Sequence, residues 1–335
     1  MKKFRIDEIT INLDNLRKPL NSQQRKEMSK KKLYPYYGAN NLMDYIDEYI
    51  FDEEILCVAE DGGSWGYKEK CSYIVNEKCW VNNHAHILKA KENLNLKYLM
   101  YYLNYNDLTN KITGTTRGKL TKSALNSIEI KLPLIEEQNK IVILLEKAQA
   151  LIHKRKKQIE ELDLLVKSKF IEMFGNPIIN SKGWDIKLLG EVCEMKAGKS
   201  IKSAYIYENN NGKLYPCYGG NGLRGYVKDY SHDGNIPLIG RQGALCGNVK
   251  YVQGKFYATE HAVVTNPKIK MNTYWLYYIL QQLDLNRLST GAAQPGLTIS
   301  KLNDVELPIA PIGMQKDFEN FAKQVDKLKF IKINK

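Results

Sequence analysis

The most constraining feature of this chain is that a long stretch of it occurs twice. The segment from Leu33 to Leu42 returns with few changes as the segment from Leu214 to Leu223. The correspondence continues in the same order through further matched pairs: Ile55 and Ile236, Gly62 and Gly243, Gly66 and Gly247, His84 and His261, Leu125 and Leu302. Because solenoid repeats have periods of roughly 20–50 residues, a repeat this long indicates a duplicated domain. Two similar domains on one chain suggest two similar tasks.

Size and charge narrow the class of protein. A length of 335 residues fits two domains with connecting structure, and a hydrophobic fraction of 43% is sufficient for packed cores. The formal net charge of +13 favours a polyanionic partner, most often nucleic acid. A basic but merely solvated surface is the alternative that charge alone leaves open.

The sequence gives no sign of export, membrane insertion or metal binding. No apolar segment follows Met1, and no apolar run approaches the roughly 20 residues of a membrane-spanning helix. The 6 cysteines include no C-x-x-C pair, which argues against a zinc site around Cys71, Cys79 and His84. We therefore expect a cytoplasmic chain with reduced thiols, no membrane association and no metal.

Short apolar stretches between glycine, asparagine and aspartate predict strands, and longer periodic stretches predict helices. We expect a first domain over residues 1–135 and a second over 177–311. The predicted strands and helices follow the same plan in both: strands 55–59, 72–75 and 86–88 with helix 95–108, then strands 236–239, 249–252 and 262–265 with helix 273–285.

A long helix is predicted between the two domains, over residues 136–176. Residues 136–174 contain neither proline nor glycine, and apolar residues recur at alternating steps of four and three, which is typical of a heptad seam. Gly175 and Pro177 end the pattern. At about 1.5 Å per residue the helix is roughly 55 Å long, enough to hold two domains at a fixed separation.

A second, shorter helix is predicted over residues 312–335, with Phe318, Phe321, Val325 and Leu328 in the same spacing. The two helices are expected to pack as an antiparallel or splayed pair. Because the second is about half as long, the central helix should keep an uncovered apolar stretch that binds a partner. We assign that stretch to four residues: Ile159, Leu162, Leu165 and Val166.

No catalytic motif is apparent: the chain has neither a dinucleotide-binding G-x-G-x-x-G after a strand nor a phosphate-binding loop of the Walker type. A self-contained nuclease or methyltransferase is the enzymatic alternative. The repeats differ instead in polar loops, where Glu60 and Asp61 stand opposite Arg241 and Gln242.

Such residue types read DNA base edges, since Arg pairs with guanine, Gln with adenine, and Asp or Glu with cytosine. The residues predicted to contact bases are Glu60, Asp61, Arg117, Lys119, Arg241, Gln242 and Gln294. Lys154 and Arg155, in a basic run of the central helix, are predicted to contact phosphates. The alternatives are variable surface loops and a solvated helix face.

The order of domain, long helix, domain and shorter helix resembles the specificity (S) subunit of type I restriction-modification systems over essentially the whole chain. Three phrases carry the resemblance: Tyr34-Pro-Tyr-Tyr-Gly-Ala-Asn40, Gly291-Ala-Ala-Gln-Pro-Gly-Leu297 and Leu132-Pro-Leu-Ile-Glu-Glu-Gln138. It implies an α+β fold with two mixed α/β target-recognition domains, separated by a long coiled-coil helix and followed by a shorter one. Each domain would read one half of a split site in double-stranded DNA.

The same resemblance implies that the helices set the gap and dock methylation subunits, which bind S-adenosylmethionine. Restriction subunits that use ATP and Mg²⁺ can join, while the S subunit is not catalytic and binds no cofactor itself. This chain departs from the family in its short C-terminal helix. That departure favours self-association through the helices, and keeps open a truncated scaffold or decoy that binds methylation subunits without reading DNA.

Overall fold

The computed structural model describes residues 2–210, 212–243, 245–291 and 295–330. The chain forms two compact units, Met1–Lys154 (unit 1) and Arg155–Lys335 (unit 2). The division falls inside the central helix, whereas the sequence-based boundaries set residues 136–176 apart. The reason is that the first half of this helix is bonded to unit 1, for example from Gln149 to Tyr101, while its second half enters the core of unit 2.

Unit 1 contains three small antiparallel or mixed sheets and a helix packed on the largest of them. Its described strands are β1 (Lys2–Arg5), β2 (Thr10–Asn12), β3 (Tyr34–Gly38), β4 (Asn41–Ile46), β5 (Ile55–Ala59), β6 (Ser72–Val75), β7 (Trp80–Val81), β8 (Ala85–Ala90) and β9 (Glu129–Leu132). Its helices are α1 (Ile6–Ile9), α2 (Ser22–Glu27), α3 (Leu96–Tyr105), α4 (Lys122–Asn126) and the central helix α5 (Ile135–Phe174), which continues into unit 2. The sheet orders are β2-β8-β5-β6, β4-β3-β7 and β1-β9.

Strand β5 lies in the middle of the core of unit 1. All its residues are buried, because one face packs against α3 and the other faces the β3 side of the unit. Helix α3 contributes Leu96, Leu99 and Leu103, which recur at the three- and four-residue spacing of a helix face. The side chain of Asn95 caps its first turn by accepting from the backbone N–H of Lys97.

Unit 2 repeats this plan. Its described strands are β10 (Asp185–Leu188), β11 (Cys193–Ala197), β12 (Tyr215–Gly219), β13 (Gly222–Val227), β14 (His232–Asp233), β15 (Ile236–Gly240), β16 (Val249–Val252), β17 (Lys255–Ala258), β18 (Ala262–Pro267) and β19 (Glu306–Ile309). Its helices are α6 (Leu189–Val192), α7 (Thr273–Gln282), α8 (Ile299–Asn303) and α9 (Ile312–Phe330). The sheet orders are β11-β18-β15-β16, β13-β12-β17-β14 and β10-β19.

The duplication extends to details of the backbone. The β3–β4 pair has an irregularity between Tyr36 and Tyr37, and the β12–β13 pair has one at the equivalent place, between Cys217 and Tyr218. The predicted α+β class, with two mixed domains, a long helix between them and a shorter C-terminal helix, is confirmed.

A buried glutamine fixes the start of the long helix in each unit. Gln138 donates through Nε2 to the carbonyls of Asn93 and Pro133, both at 2.9 Å, and accepts from the N–H of Asn95 at 2.9 Å. Gln315 repeats the arrangement, donating to Ala310 at 2.7 Å and accepting from Asn272 at 2.8 Å. The buried amide therefore ties α5 to the start of α3, and α9 to the start of α7.

Helix α9 has 19 residues, about half the 40 of α5, and the two run antiparallel in unit 2. The Phe318 ring lies 5.2 Å from that of Phe170, and Lys329 Nζ lies 2.6 Å from the Asp163 carboxylate further back along α5. The predicted heptad seam is therefore formed, between the second half of α5 and α9.

The position predicted for the uncovered part of that seam is wrong. Val166 is 1% exposed, and Leu162 packs against the same core, because α9 and α7 cover this part of α5. Of the four predicted residues Leu165 is exposed and Ile159 is half-buried. The two most exposed apolar residues of α5 lie in its first half, where Leu144 is 69% and Leu151 is 67% exposed, while Leu164 in the second half is 62% exposed.

The cysteines are placed in the interiors of the two units. All six are free and buried, at Cys57, Cys71, Cys79, Cys193, Cys217 and Cys246. Burial raises the pKa of the Cys71 thiol to about 11 and that of the Cys193 thiol to about 12. Among the described residues, no helix is both long enough and apolar enough to span a membrane.

Candidate nucleic-acid interface

Two loops of unit 1 meet and form a common frame. The loop after β5 runs antiparallel to the loop before α4, with a bridge between Asp61 and Lys119. The Leu120 N–H donates to the Glu60 carbonyl at 2.7 Å, and the Gly62 N–H donates to the Gly118 carbonyl at 3.3 Å. The frame therefore brings together the four predicted site residues of unit 1: Glu60, Asp61, Arg117 and Lys119.

Glu60 is the inner member of this charged cluster. Its carboxylate accepts from Arg17 Nη1 at 2.6 Å and lies 3.0 Å from Lys119 Nζ. Burial alone would raise the pKa of the Glu60 carboxyl, but the hydrogen bonds from Arg17 and Lys119 outweigh it and hold that pKa below its usual value. The carboxylate therefore stays ionised and fixes both cations.

Asp61 is the outer member. Its carboxylate lies 2.6 Å from Arg117 Nη2 and 2.9 Å from His84 Nδ1. The Arg117 side chain is mostly exposed, so the paired guanidinium faces solvent beside the loop. Such an ion pair presents both a cation and an anion to a ligand. Substitution of either residue removes this ion-pair partner of the other.

Beneath these residues lies a group with metal-like spacing. The ligand atoms of Asp14, Glu60 and His86 lie within 4.8 Å of one another. They already have partners, because His86 Nδ1 lies 2.7 Å from Asp14 and its Nε2 donates to the Leu120 carbonyl at 2.7 Å. Burial alone would raise the pKa of the Asp14 carboxyl, but hydrogen bonds from His86 and the Ile87 N–H outweigh it and hold that pKa below its usual value. The cluster fits an ion-paired support better than a cation site, since the Arg17 guanidinium occupies it.

Unit 2 builds the same frame from different side chains. Gln242 bridges to Gly296, the Leu297 N–H donates to the Arg241 carbonyl at 2.9 Å, and the Gly243 N–H donates to Pro295 at 2.9 Å. Arg241 and Gln242 thus occupy the positions of Glu60 and Asp61. Gln294, predicted opposite Arg117, lies outside the described residues.

The two basic residues of α5 have different surroundings. Lys154 is exposed. Arg155 donates through Nη2 to the carbonyls of Leu328 at 3.0 Å and Lys329 at 2.5 Å, so its guanidinium is bound to the last described turn of α9. We therefore remove Arg155 from the proposed phosphate contacts and keep Lys154.

Sequence reasoning missed several residues of these surfaces. Arg17 lies far from the loops in sequence and reaches Glu60 only through the fold. Arg224 stands one position beyond the repeated segment, where unit 1 has Met43, and extending the comparison by one residue would have found it. Trp65, at the end of the first loop, is buried and donates to the Ala59 carbonyl, so it supports the loop from below.

Comparison with known proteins identifies the family. The sequence profile of the type I restriction modification DNA specificity domain matches residues 1–161 and 181–335. The chain belongs to this family. The resemblance inferred from the sequence is thereby confirmed.

Relatives within the family match different shares of the chain. The specificity subunit of the type I restriction enzyme EcoprrI from Escherichia coli is 48% identical over 130 residues, which are 38% of this chain and 32% of that protein. A putative specificity subunit from Haemophilus influenzae is 36% identical over 44% of this chain and 37% of its own length. The matched part thus spans about a third of the length of these two relatives. The MjaVIII specificity subunit of Methanocaldococcus jannaschii is 23% identical over 89% of this chain and 80% of that protein.

Solved structures agree on the architecture. The type I restriction-modification S subunit from M. genitalium matches with a TM-score of 0.65 at 16% identity, over 98% of this chain and 90% of that one. A chain from a study of complex assembly and conformational transition of the type I R-M system matches with a TM-score of 0.55 at 18% identity, over 98% and 91%. At 16% and 18% identity, these two matches show that the chain has the fold of those structures, and they show no more than the fold.

Proposed function

We propose that this chain is the DNA sequence-specificity subunit of a type I restriction-modification complex, in which each unit reads one half of a split site in double-stranded DNA. The observation that carries the proposal is the pair of equivalent loop frames with unlike side chains. Backbone bonds at Glu60 and Gly62 recur at Arg241 and Gly243, while the charges change. A constant frame with changed polar residues is what two readers of different sequences require.

In this proposal the chain is not an enzyme and binds no cofactor. Methylation subunits supply S-adenosylmethionine, and restriction subunits, where present, supply the use of ATP and Mg²⁺. The chain contributes base contacts from the loop residues and phosphate contacts from lysines such as Lys154. The net charge of +13 supports such contacts, which make DNA binding weaken steeply as salt rises.

The experiment that tests this function is methylation mapping by long-read sequencing, in a host that expresses the chain with its methylation subunit. A new split motif with unlike halves is the expected result. A palindromic split motif would indicate two copies assembled through their helices. No new methylation from an intact complex would contradict DNA reading and favour a scaffold or decoy.

We further propose that methylation subunits dock on the uncovered first half of α5. At about 100° per residue, Leu144 and Leu151 lie on the same face of the helix as Leu162. That face is covered in unit 2 but exposed at Leu144 and Leu151, so the apolar seam continues past the described part of α9. Apolar residues in such a row are typical of a protein interface.

The test of this surface is the double substitution Leu144→Glu and Leu151→Glu, followed by measurement of complex formation with the methylation subunit. We expect loss of the complex without loss of fold, because both side chains are exposed. Ala150→Glu introduces one such charge at another exposed position of α5, about 100° around the helix from Leu151. It is the matched control and should leave assembly intact. Full assembly by the double variant would exclude this surface.

A further inference from the structure

A cavity of about 370 Å³ opens beside the second loop frame, in unit 2. Three parts of the unit form it: the β12–β13 hairpin, the loop after β15 and the residue before β18. Its lining residues are Gly220, Asn221, Arg224, Gln242, Gly243 and His261. Of these, only Gln242 was assigned to DNA contact by its sequence.

The polar side chains of this cavity are largely unpaired within the described part of the chain. Among the residues that the structure describes, the side chains of Asn221, Arg224 and Gln242 have no hydrogen-bond or ion-pair partner. The imidazole of His261 has a single distant neighbour, the Glu260 carboxylate at 3.4 Å. A guanidinium and two amides therefore line one space, with donors and acceptors that no described residue occupies.

The equivalent side chains of unit 1 are paired with one another or with the backbone. Asp61, which stands where unit 2 has Gln242, is bound by Arg117 at 2.6 Å and His84 at 2.9 Å. Asn40 donates to the Gly62 carbonyl at 3.1 Å and so ties the hairpin to the loop. Met43, which stands where unit 2 has Arg224, packs against the amide of Asn82. The unpaired guanidinium and amides are thus a difference between unit 2 and unit 1 on the same scaffold.

The Arg224 side chain is positioned by a glycine. A Cβ atom at Gly219 would lie 2.7 Å from Arg224 Cδ, so the aliphatic stem of Arg224 occupies the space that a side chain at Gly219 would take. Arg224 itself is on strand β13, and Gln242 is held by the bridge to Gly296. The backbone at both residues therefore belongs to a strand or a β-bridge, and direct readout of a base requires such a rigid support.

We propose that this cavity reads a purine-containing segment through the major groove, with Arg224 recognising guanine and Gln242 recognising adenine. A guanidinium donates two parallel hydrogen bonds to O6 and N7 of guanine, and a carboxamide both donates to N7 and accepts from N6 of adenine. This inference rests on the function proposed above and names the bases of the half-site that unit 2 reads. Unit 1, with Asp61 and Arg117 neutralising each other, reads its half-site by different contacts.

The first test is motif mapping with variants of the assembled complex. The wild-type motif should contain guanine and adenine in one half. Arg224→Ala should lower the preference for that guanine by about 5- to 150-fold. Gln242→Ala should lower the preference for adenine at its position. Neither substitution should change the other half of the motif. Lys228→Ala, which removes an exposed cation just beyond the end of β13, is the matched control and should leave the motif unchanged.

The second test uses the wild-type complex and so does not depend on the folding of a variant. Binding to the mapped site is measured after its guanine is replaced by 7-deazaguanine, which lacks the N7 acceptor of the major groove. We expect weakening no greater than that caused by Arg224→Ala, because O6 still accepts one of the two bonds, and no further loss when the two changes are combined. Inosine, which lacks only the minor-groove amino group, should bind as guanine does.

The outcomes separate this inference from the function on which it rests. A wild-type complex that methylates no split motif overturns both. A split motif that Arg224→Ala leaves unchanged overturns the inference alone, as does full binding to the 7-deazaguanine site. Arg224→Ala that weakens binding equally to all sequences would assign Arg224 to a phosphate, because a phosphate contact carries no information about the base.

Discussion

At the scale of single residues, the buried Gln138 amide makes a direct prediction about stability. Gln138→Ala removes three hydrogen bonds, one of them buried and two partly buried, and leaves the Asn95 N–H and two carbonyls without this partner. We expect the free energy of unfolding of unit 1 to fall by about 2–3 kcal/mol, measured by urea denaturation. The control is Gln149→Ala on the same helix, where the exposed amide bonds only Tyr101. An equal, small effect of both substitutions would contradict the role of Gln138.

The Glu60 carboxyl makes a prediction about pH. Its pKa in the folded state is lowered, so its stabilising contribution is complete above the unfolded pKa of about 4.3 and is lost as pH falls through the folded pKa. The difference in unfolding free energy between the wild type and Glu60→Gln should therefore shrink from pH 6 toward about pH 3. Titration of thermal or urea unfolding measures it. A constant difference would contradict the ion-pair assignment, and exposed Glu92→Gln is the control.

Sequence comparison located most of this site because the duplication supplied its own alignment. Glu60 and Asp61 were identified by contrast with Arg241 and Gln242, and the structure brings Arg117 and Lys119 to them. It could not show that Arg17, 43 residues before Glu60 along the chain, holds that carboxylate. Contacts between residues far apart in sequence carry no local pattern, so only the fold reveals them.

At the scale of elements, the pairing of α5 with α9 depends on aromatic residues. Phe318 is fully buried among the rings of Phe170, Phe174 and Tyr278. Phe318→Ala should lower the free energy of unfolding of unit 2 by about 3–5 kcal/mol, measured by urea denaturation. Leu328, in the last turn of α9, is 52% exposed, and Leu328→Ala should cost about 1 kcal/mol or less. Similar losses from both would contradict this account of the pairing.

The heptad pattern predicted the helices and the contacting face, but it assigned the uncovered stretch to the wrong half of α5. Periodicity defines which side of a helix is apolar and is silent on how far along it a partner reaches. Val166 and Leu145 belong to the same pattern, yet the antiparallel direction of α9 and its 19 described residues cover the former and leave the latter exposed. The direction and register in which two helices pack depend on tertiary structure, which the local pattern does not contain.

At the scale of the whole molecule, two compact units with separate loop frames should respond independently. Asp61→Asn in unit 1 should alter one half of the methylated motif, and Arg241→Ala in unit 2 should alter the other. In binding measurements, the effects of the two substitutions should add to within about 0.5 kcal/mol, as for distant sites without shared partners. A change in both halves from either single substitution would contradict the division of labour between the units.

The burial of all six cysteines has a practical consequence for the study of this molecule. A buried thiol with a raised pKa holds little thiolate and is shielded from alkylating reagents. A cysteine introduced at an exposed position, such as Leu151 or Asn221, would therefore be modified far faster than the native thiols. Fluorophores and spin labels can be attached to the wild-type background at one chosen point, without first removing the native cysteines from the two cores.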